Sequence, residues 1–294
     1  MNVLVAGGSG FVGRNLCRTL LDRGHDVTVL SRSPGSDLPD GVSTAMGDVS
    51  AYDSIEAAFE GRDAVVNLVA LSPLFRPSGG EVMHDRVHRR GTENVVRAAE
   101  ERGVDRLVQM SALGADPRGE THYIRAKGRA EEIVRESDLE WTIFRPSVVF
   151  GEGGEFLRFT KLLAPPYLTV LPGGGRTRFQ PIWVGDLVPL LASALEDEAH
   201  VGETYEIGGP EALTLAEIAR LAHGAEGRPV NVVSIPMGLA KLGLGALGAI
   251  PGAPMGPDQY RSLTFDNTVA HNDVAAFGVG ESDLKTLRAY LRGD

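Results

Sequence analysis

Cysteine, lysine, aromatic residues and long apolar runs are all scarce in this chain of 294 residues. Its one cysteine, Cys17, excludes an internal disulfide and any cysteine-built metal cluster. Cys17 lies in an amphipathic stretch, where a packed structural thiol is expected. Lysine occurs only at 127, 161, 241 and 285, and the other cations are arginines. An excess of positive charge is also missing. The net charge of −10 excludes the broad basic face that nucleic acid requires, but not a local basic pocket for a phosphate. The longest apolar stretch, "MGLAKLGLGALGAIPGAP" from Met237, is broken by Lys241 and by repeated glycines, so no membrane span is expected. It reads as core or dimer contact, with a hydrophobic ligand or a membrane surface as the alternatives. The chain enters a strand pattern at once, without a leader, and a cytoplasmic protein is expected.

What is present is alternation. "NVLVA" reads as a buried strand, residues 11–23 as a helix with apolar positions at Val12, Leu16, Leu20 and Leu21, and "HDVTVLSRS" as a second strand. A short strand "VSTAMGD", a helix at 52–59 and a strand "DAVVNLVA" follow. A long helix over 82–102, the strand "DRLVQMSAL", a helix over 122–137 and the strand "LEWTIFRP" complete the series. Strands alternating with helices imply an α/β fold with a doubly wound parallel sheet covered on both faces. After Phe150 the pattern breaks into Gly- and Pro-rich sequence. The helix in "IWVGDLVPLLASALEDE" is expected to start at Asp186 as N-cap, with Pro189 in its first turn. Thr214 and Glu217 form an expected capping box. The reading places a dinucleotide-binding core at 1–150, completed by about 182–209, and a small C-terminal lobe at 151–181 and 210–294.

Gly7, Gly10 and Gly13 follow the first strand and open the first helix. In that position the first glycine permits the tight turn and the second lets backbone approach a pyrophosphate. The third lets helix and strand pack closely, and the helix N-terminus offers free N–H groups to the phosphates. An NAD site would place an acidic residue at the end of the second strand; here Ser31 and Arg32 stand there. Arginine pairs well with phosphate, so NADP(H) is the expected cofactor, with NAD(H) as the other candidate. Asp48 is placed to contact the adenine and Asn67 the nicotinamide-side ribose. Ser9, Phe11, Val12, Val49, Ala70, Lys127 and Pro146 complete the expected cofactor contacts.

Tyr123 and Lys127 stand four apart on one expected helix face. An ammonium beside a phenol lowers its pKa, so that Tyr123 can exchange a proton with a substrate oxygen near neutral pH. Ser111, ending the preceding strand, is placed to bond the same oxygen.

With "GGSGFVG", "GDV", "NLVA", "GTENVVRAA", "VDRLVQMSALGA", "YIRAK", "FRPSVVFG", "FQPIWVGDL" and "YEIGGPEALTLAEI", the chain resembles the short-chain dehydrogenases/reductases of extended or atypical type, which are NAD-dependent epimerase/dehydratase-like. It is most similar to the subgroup holding the NADPH-binding accessory subunit of respiratory complex I and its stand-alone bacterial and archaeal relatives. The resemblance spans residues 1 to about 220. It implies a Rossmann core of seven parallel strands and a C-terminal substrate lobe. It also implies an oxidoreductase passing hydride between nicotinamide and a carbonyl or hydroxyl carbon of a small molecule. Tyr123 would be acid/base, Lys127 its partner and ribose anchor, and Ser111 the orienter, in a monomer or homodimer. Two other readings stand beside it: a scaffold or sensor subunit that holds NADPH without turnover, and a sugar-nucleotide epimerase or dehydratase. The chain departs from the family at three points. A Ser-Ser pair usual at the end of the fifth strand is Ser111-Ala112, and an asparagine usual before "GT" is His88. The "VYG" usual after the serine is "LGA" at 113–115.

His84 and His88 share a helix face, but no further ligand cluster lies near them in sequence. They read as surface or pocket-rim residues, and no metal site is expected. "PGGGRTRFQP" reads either as a phosphate-binding loop through Arg176 and Arg178 or as a lid.

Overall fold

The computed structural model describes residues 1–35, 37–236, 238, 257–262 and 264–293. Apart from Gly238, the apolar stretch at 237–250 and Lys241 lie outside the described residues. The chain divides into two compact units. One comprises Met1–Leu71, Gly79–Pro146 and Val184–Tyr205; the other comprises Ser72–Ser78, Ser147–Trp183 and Glu206–Asp294.

The first unit is built on β1 (Asn2–Ala6), β2 (Asp26–Ser31), β3 (Ser43–Met46), β4 (Ala64–Asn67), β5 (Arg106–Met110) and β6 (Glu140–Pro146). With the strand Thr204–Ile207 they form one seven-stranded sheet, in which that strand is followed in order by β6, β5, β4, β1, β2 and β3. The pairs β1–β2, β2–β3, β1–β4, β4–β5 and β5–β6 are all parallel. From β1 the chain winds outward to β2 and β3, then returns to the other side of β1 to lay down β4 to β6. The sheet therefore reverses its winding between β1 and β4, where doubly wound sheets open a crevice at the carboxyl ends of their strands.

Period-2 alternation explains why these strands are nearly continuous apolar runs. Leu4, Ala6, Val65, Leu107 and Ile143 pack with Val95, Ala98 and Ala99 of α3 (Gly91–Arg102) and with Val134 of α4 (His122–Arg135). The intervening Val3, Val5, Val66 and Val108 are fully buried and point to the opposite face. α1 (Phe11–Asp22) packs against the helix Val184–Glu196. Their ends are tied by Arg23 and His25, each 2.7 Å from the Glu196 carboxylate.

Three elements differ from the sequence expectation. Residues 52–59 form two 3-10 turns rather than a helix. The helix over 82–102 is composite: α2 (Val82–His84), a π-helical segment Asp85–Arg90, then α3. Its sequence has no glycine or proline before Gly91 to mark the wide turn. The helix after Trp183 starts at Val184, so Asp186 sits inside its first turn instead of capping it, and Pro189 lies within the helix.

The second unit centres on Phe150, Phe156, Leu171, Phe179, Ile218 and Leu287. The strands Tyr167–Pro172 and Val230–Ile235 pair in parallel, and the Thr214–Glu217 capping box forms as expected.

One contact in the first unit is tight enough to test by substitution. A β-carbon on Gly13 would lie 2.5 Å from the Gly7 carbonyl oxygen and 2.5 Å from the Gly8 α-carbon, and backbone cannot yield as a side chain can. Gly13→Ala should lower the thermal midpoint by about 5 °C or more, the effect of about 2 kcal/mol of overpacking. An unchanged midpoint would show that the helix is free to move away.

Candidate functional site

A cavity of about 530 Å³ opens at the switch point, within the range of cofactor sites. Its floor is the glycine turn, with Gly7, Ser9 and Gly10 in the lining. Gly7 holds φ at +81°, which a side chain would resist. Gly10 caps α1 in an extended conformation; no side chain caps the helix and no acid sits in its first turn. Its leading N–H groups are thus left for an anion. Phe11 and Val12 begin the helix itself, and Gly13 faces the turn rather than the cavity.

One wall is the end of β2, where Ser31 and Arg32 line the cavity. The Ser31 Oγ is buried and has no hydrogen-bond partner among the described residues, while Arg32 beside it is exposed. A buried hydroxyl without a partner next to a guanidinium fits a phosphate that bonds both. Asp48 and Val49 form the next wall. Partial burial raises the Asp48 pKa, but the Ser50 N–H at 2.9 Å and the charges of Arg32 and Arg86 outweigh it and leave the carboxyl below its ordinary value. The last wall is the segment 68–71 after β4, together with Val87 of the π-helical segment.

Of the expected cofactor residues, Gly7, Ser9, Gly10, Ser31, Arg32, Asp48, Val49 and Ala70 line this cavity. Asn67 does not. It is buried, its Nδ2 donating to Gln109 Oε1 at 2.9 Å and its Oδ1 accepting the Val69 N–H at 3.3 Å. Its hydrogen-bonding groups are spent on the sheet and on the adjoining wall. Pro146 ends β6 with its carbonyl accepting the Leu113 N–H, and Lys127 is also outside the lining. Sequence reasoning missed Leu68 and Val69, which lie within "NLVA" between the expected Asn67 and Ala70, and Leu71 and Val87, which are apolar and outside any motif. It also missed Arg14, whose guanidinium donates to the Ser9 carbonyl at 2.7 Å and braces the turn.

The second group of residues lies on α4. Thr121 caps this helix by accepting the Ile124 N–H, and Gly128 lets it press against the chain at Asp116–Pro117, where a β-carbon would meet backbone at 2.3 Å. Lys127 is buried, donates to the Met110 carbonyl at 2.8 Å, and is pushed down to about 8 by burial, with Glu131 pulling the other way. Tyr123 makes no hydrogen bond among the described residues. Its ring packs edge-on against His84 and His88, with centroids 5.6 and 5.2 Å away. Burial pushes its phenol up. The expected lowering by Lys127 is therefore not found: the ammonium turns to the Met110 carbonyl, and burial dominates the phenol.

Ser111 Oγ donates to Glu131 Oε1 at 2.5 Å. That carboxylate is buried and also accepts from Arg145 Nε at 2.9 Å, from an Arg145 terminal nitrogen at 2.6 Å and from Arg135 at 2.8 Å. Ser111 thus belongs to a buried ionic network. His84 and His88 are not at a surface or rim: both are buried, with rings stacked at 5.4 Å. His88 Nε2 accepts the Leu71 N–H at 2.9 Å, which takes that nitrogen away from any metal. Arg178 is held by Asp266 at 2.8 Å and is not free for an anion, because that pairing fixes it in the second unit.

A parallel sheet with a glycine turn at its switch point, an uncapped helix end and a partnerless hydroxyl beside an arginine defines a dinucleotide-binding protein of the Rossmann type. Comparison with known proteins agrees. The model of the NAD(P)H-binding family matches residues 7–160. The chain is 30% identical over 289 residues to NADH dehydrogenase (ubiquinone) 1 alpha subcomplex subunit 9 of Arabidopsis thaliana mitochondria, covering 91% of this chain and 71% of that protein. It is 28% identical over 250 residues to the NAD(P)H azoreductase of Xenophilus azovorans, covering 84% and 81%. Among solved structures, the UDP-glucose 4-epimerase of Thermus thermophilus in complex with NAD superposes with a TM-score of 0.67 at 23% identity, covering 92% of this chain and 95% of that one. The chain belongs to the NAD(P)H-binding family, among the extended and atypical short-chain dehydrogenases/reductases. Among the described residues no helix is long and apolar enough to cross a membrane.

The buried ammonium has a measurable consequence. With a pKa of about 8 folded against 10.5 unfolded, Lys127 keeps its proton in the unfolded chain at pH values where the folded chain has released it. Stability therefore rises with pH across that window. Relative to Lys127→Met, the native chain should gain about 3 kcal/mol between pH 8 and pH 10.5, read by urea unfolding. A difference that stays constant across the window contradicts the buried ammonium.

Proposed function

We propose that the chain is an NADP(H)-dependent oxidoreductase acting on a carbonyl or hydroxyl group. The observation that carries the cofactor assignment is the buried, partnerless Ser31 hydroxyl beside Arg32 in the cavity wall. The two groups suit a 2′-phosphate, with the N–H groups leading α1 receiving the pyrophosphate. When bound, the nicotinamide supplies hydride transfer.

The chain's own part is proton transfer and orientation. Tyr123, whose hydroxyl has no partner among the described residues and whose phenol is pushed up by burial, keeps its proton at neutral pH. In that state it can donate to a carbonyl oxygen as hydride arrives at the carbonyl carbon. Lys127 lies one helical turn along α4, with its ammonium engaged by the Met110 carbonyl, so its part is to hold α4 against the end of β5. Substrate selection is assigned to the second unit, where the strand–helix alternation ends.

A second reading is favoured by one observation: the Ser111 hydroxyl is spent on Glu131, so the site lacks the second donor to the substrate oxygen. On that reading the chain holds NADPH without turnover, as a scaffold or sensor.

Two measurements test these readings. Arg32→Ala should weaken NADPH binding about tenfold, the worth of one charge-assisted hydrogen bond, and spare NADH. Equal loss of both rules out the 2′-phosphate site. NADPH oxidation against a panel of carbonyl compounds should be detectable and fall about a hundredfold or more in Tyr123→Phe. Tightly bound NADPH that no compound oxidises favours the holding role.

A further inference from the structure

His88 stands where the family resemblance puts an asparagine, and its ring is buried. A backbone amide can only donate, so the 2.9 Å contact from the Leu71 N–H requires the lone pair on His88 Nε2. The proton of the neutral ring then sits on Nδ1, which is buried and has no partner among the described residues. The groups that face the ring are His84, stacked at 5.4 Å from the preceding turn, and Tyr123 and Lys127 from α4. The segment 68–71 brings no titratable group. Burial, then the Lys127 charge, then His84 push the His88 pKa well below its ordinary value and keep the imidazole neutral.

What His88 holds is a cavity wall. Leu68, Val69, Ala70 and Leu71 all line the cavity. Among the described residues three backbone N–H groups anchor the segment. The Leu68 N–H donates to the Ala6 carbonyl at 2.9 Å, the Val69 N–H to Asn67 Oδ1 at 3.3 Å, and the Leu71 N–H to His88. The first two anchors lie at its start, next to the glycine turn, where a β-carbon on Gly7 would be 3.1 Å from Leu68 and Val69 backbone. Without His88 the far end of the wall has no anchor on the π-helical segment, and the Leu71 N–H loses its acceptor.

We propose that His88 is a positioning residue for the dinucleotide: as the Nδ1–H tautomer it fixes Leu71, and with it the wall against which the bound nucleotide rests. The inference rests on the cofactor reading above, but the clamp itself is testable without nucleotide.

The experiment has two arms. In the free protein, a long-range nitrogen–proton NMR spectrum should show His88 Nε2 unprotonated, and the Leu71 amide should be protected from hydrogen exchange. A protonated Nε2 overturns the proposal. In the second arm, calorimetry with NADP+ compares His88→Leu, which keeps bulk but no acceptor, with His88→Gln, whose amide oxygen can reach the same N–H. His88→Leu should bind about tenfold more weakly, the size of one lost buried acceptor, and His88→Gln should return to within about threefold of the native chain. Native affinity in His88→Leu, or no recovery in His88→Gln, overturns it. If His88→Leu does not fold, His88→Gln decides: loss of Leu71 protection with native affinity also overturns the proposal. If the native chain binds no dinucleotide at all, the cofactor reading fails, while the tautomer and the Leu71 amide still report on the clamp.

Discussion

A β-carbon at position 13 would stand 2.5 Å from the carbonyl oxygen of Gly7 and from the α-carbon of Gly8, and the first unit is arranged around that close approach of α1 to the turn below it. The contact brings the amino end of the helix over the carboxyl end of β1, with Ser9 and Gly10 in the cavity lining. The same turn receives the neighbouring walls. The Gly7 N–H donates to Leu30 at the end of β2, just before Ser31 and Arg32, and the backbone of Leu68 and Val69 passes within van der Waals reach of Gly7. Three strand ends thus converge on one glycine turn.

α4 does a different kind of work: it places charge inside the protein. Lys127 and Glu131 lie one turn apart and both reach the end of β5, the lysine to Met110 and the carboxylate to Ser111. A buried carboxylate is costly unless several donors surround it, and Arg145 and Arg135 supply them. The arrangement fixes the end of β5 firmly, and it also commits the Ser111 hydroxyl. Rigidity at this point and a free serine donor exclude one another. That tension is why the cofactor side of the site is better defined than its chemistry.

The parts of the fold written in strong periodicity were legible in the sequence. The glycine turn, the parallel strands and the Thr214 cap all correspond to patterns of spacing, and spacing is what a backbone geometry imposes on sequence. The cavity residues belonging to the turn and to β2 could be read in the same way. What could not be read depends on partners distant in the chain. Asn67 looked like a ribose contact because it ends β4, but Gln109 lies across the sheet from it and claims its amide. Ser111 looked available until Glu131, on another element, was seen to accept its proton. His84 and His88 looked peripheral, since nothing in "HDRVHRR" signals that the helix widens into a π-turn after His84 or that both rings are buried.

On the proposed reading this turn and its walls hold NADP(H) by its phosphates. A crystal structure of the chain with NADP+ tests it most directly. The pyrophosphate should lie at the N–H groups leading α1, and the 2′-phosphate within hydrogen-bond distance of both Ser31 Oγ and the Arg32 guanidinium. A nucleotide bound with its 2′-phosphate turned away from Ser31, or bound elsewhere on the chain, would contradict it.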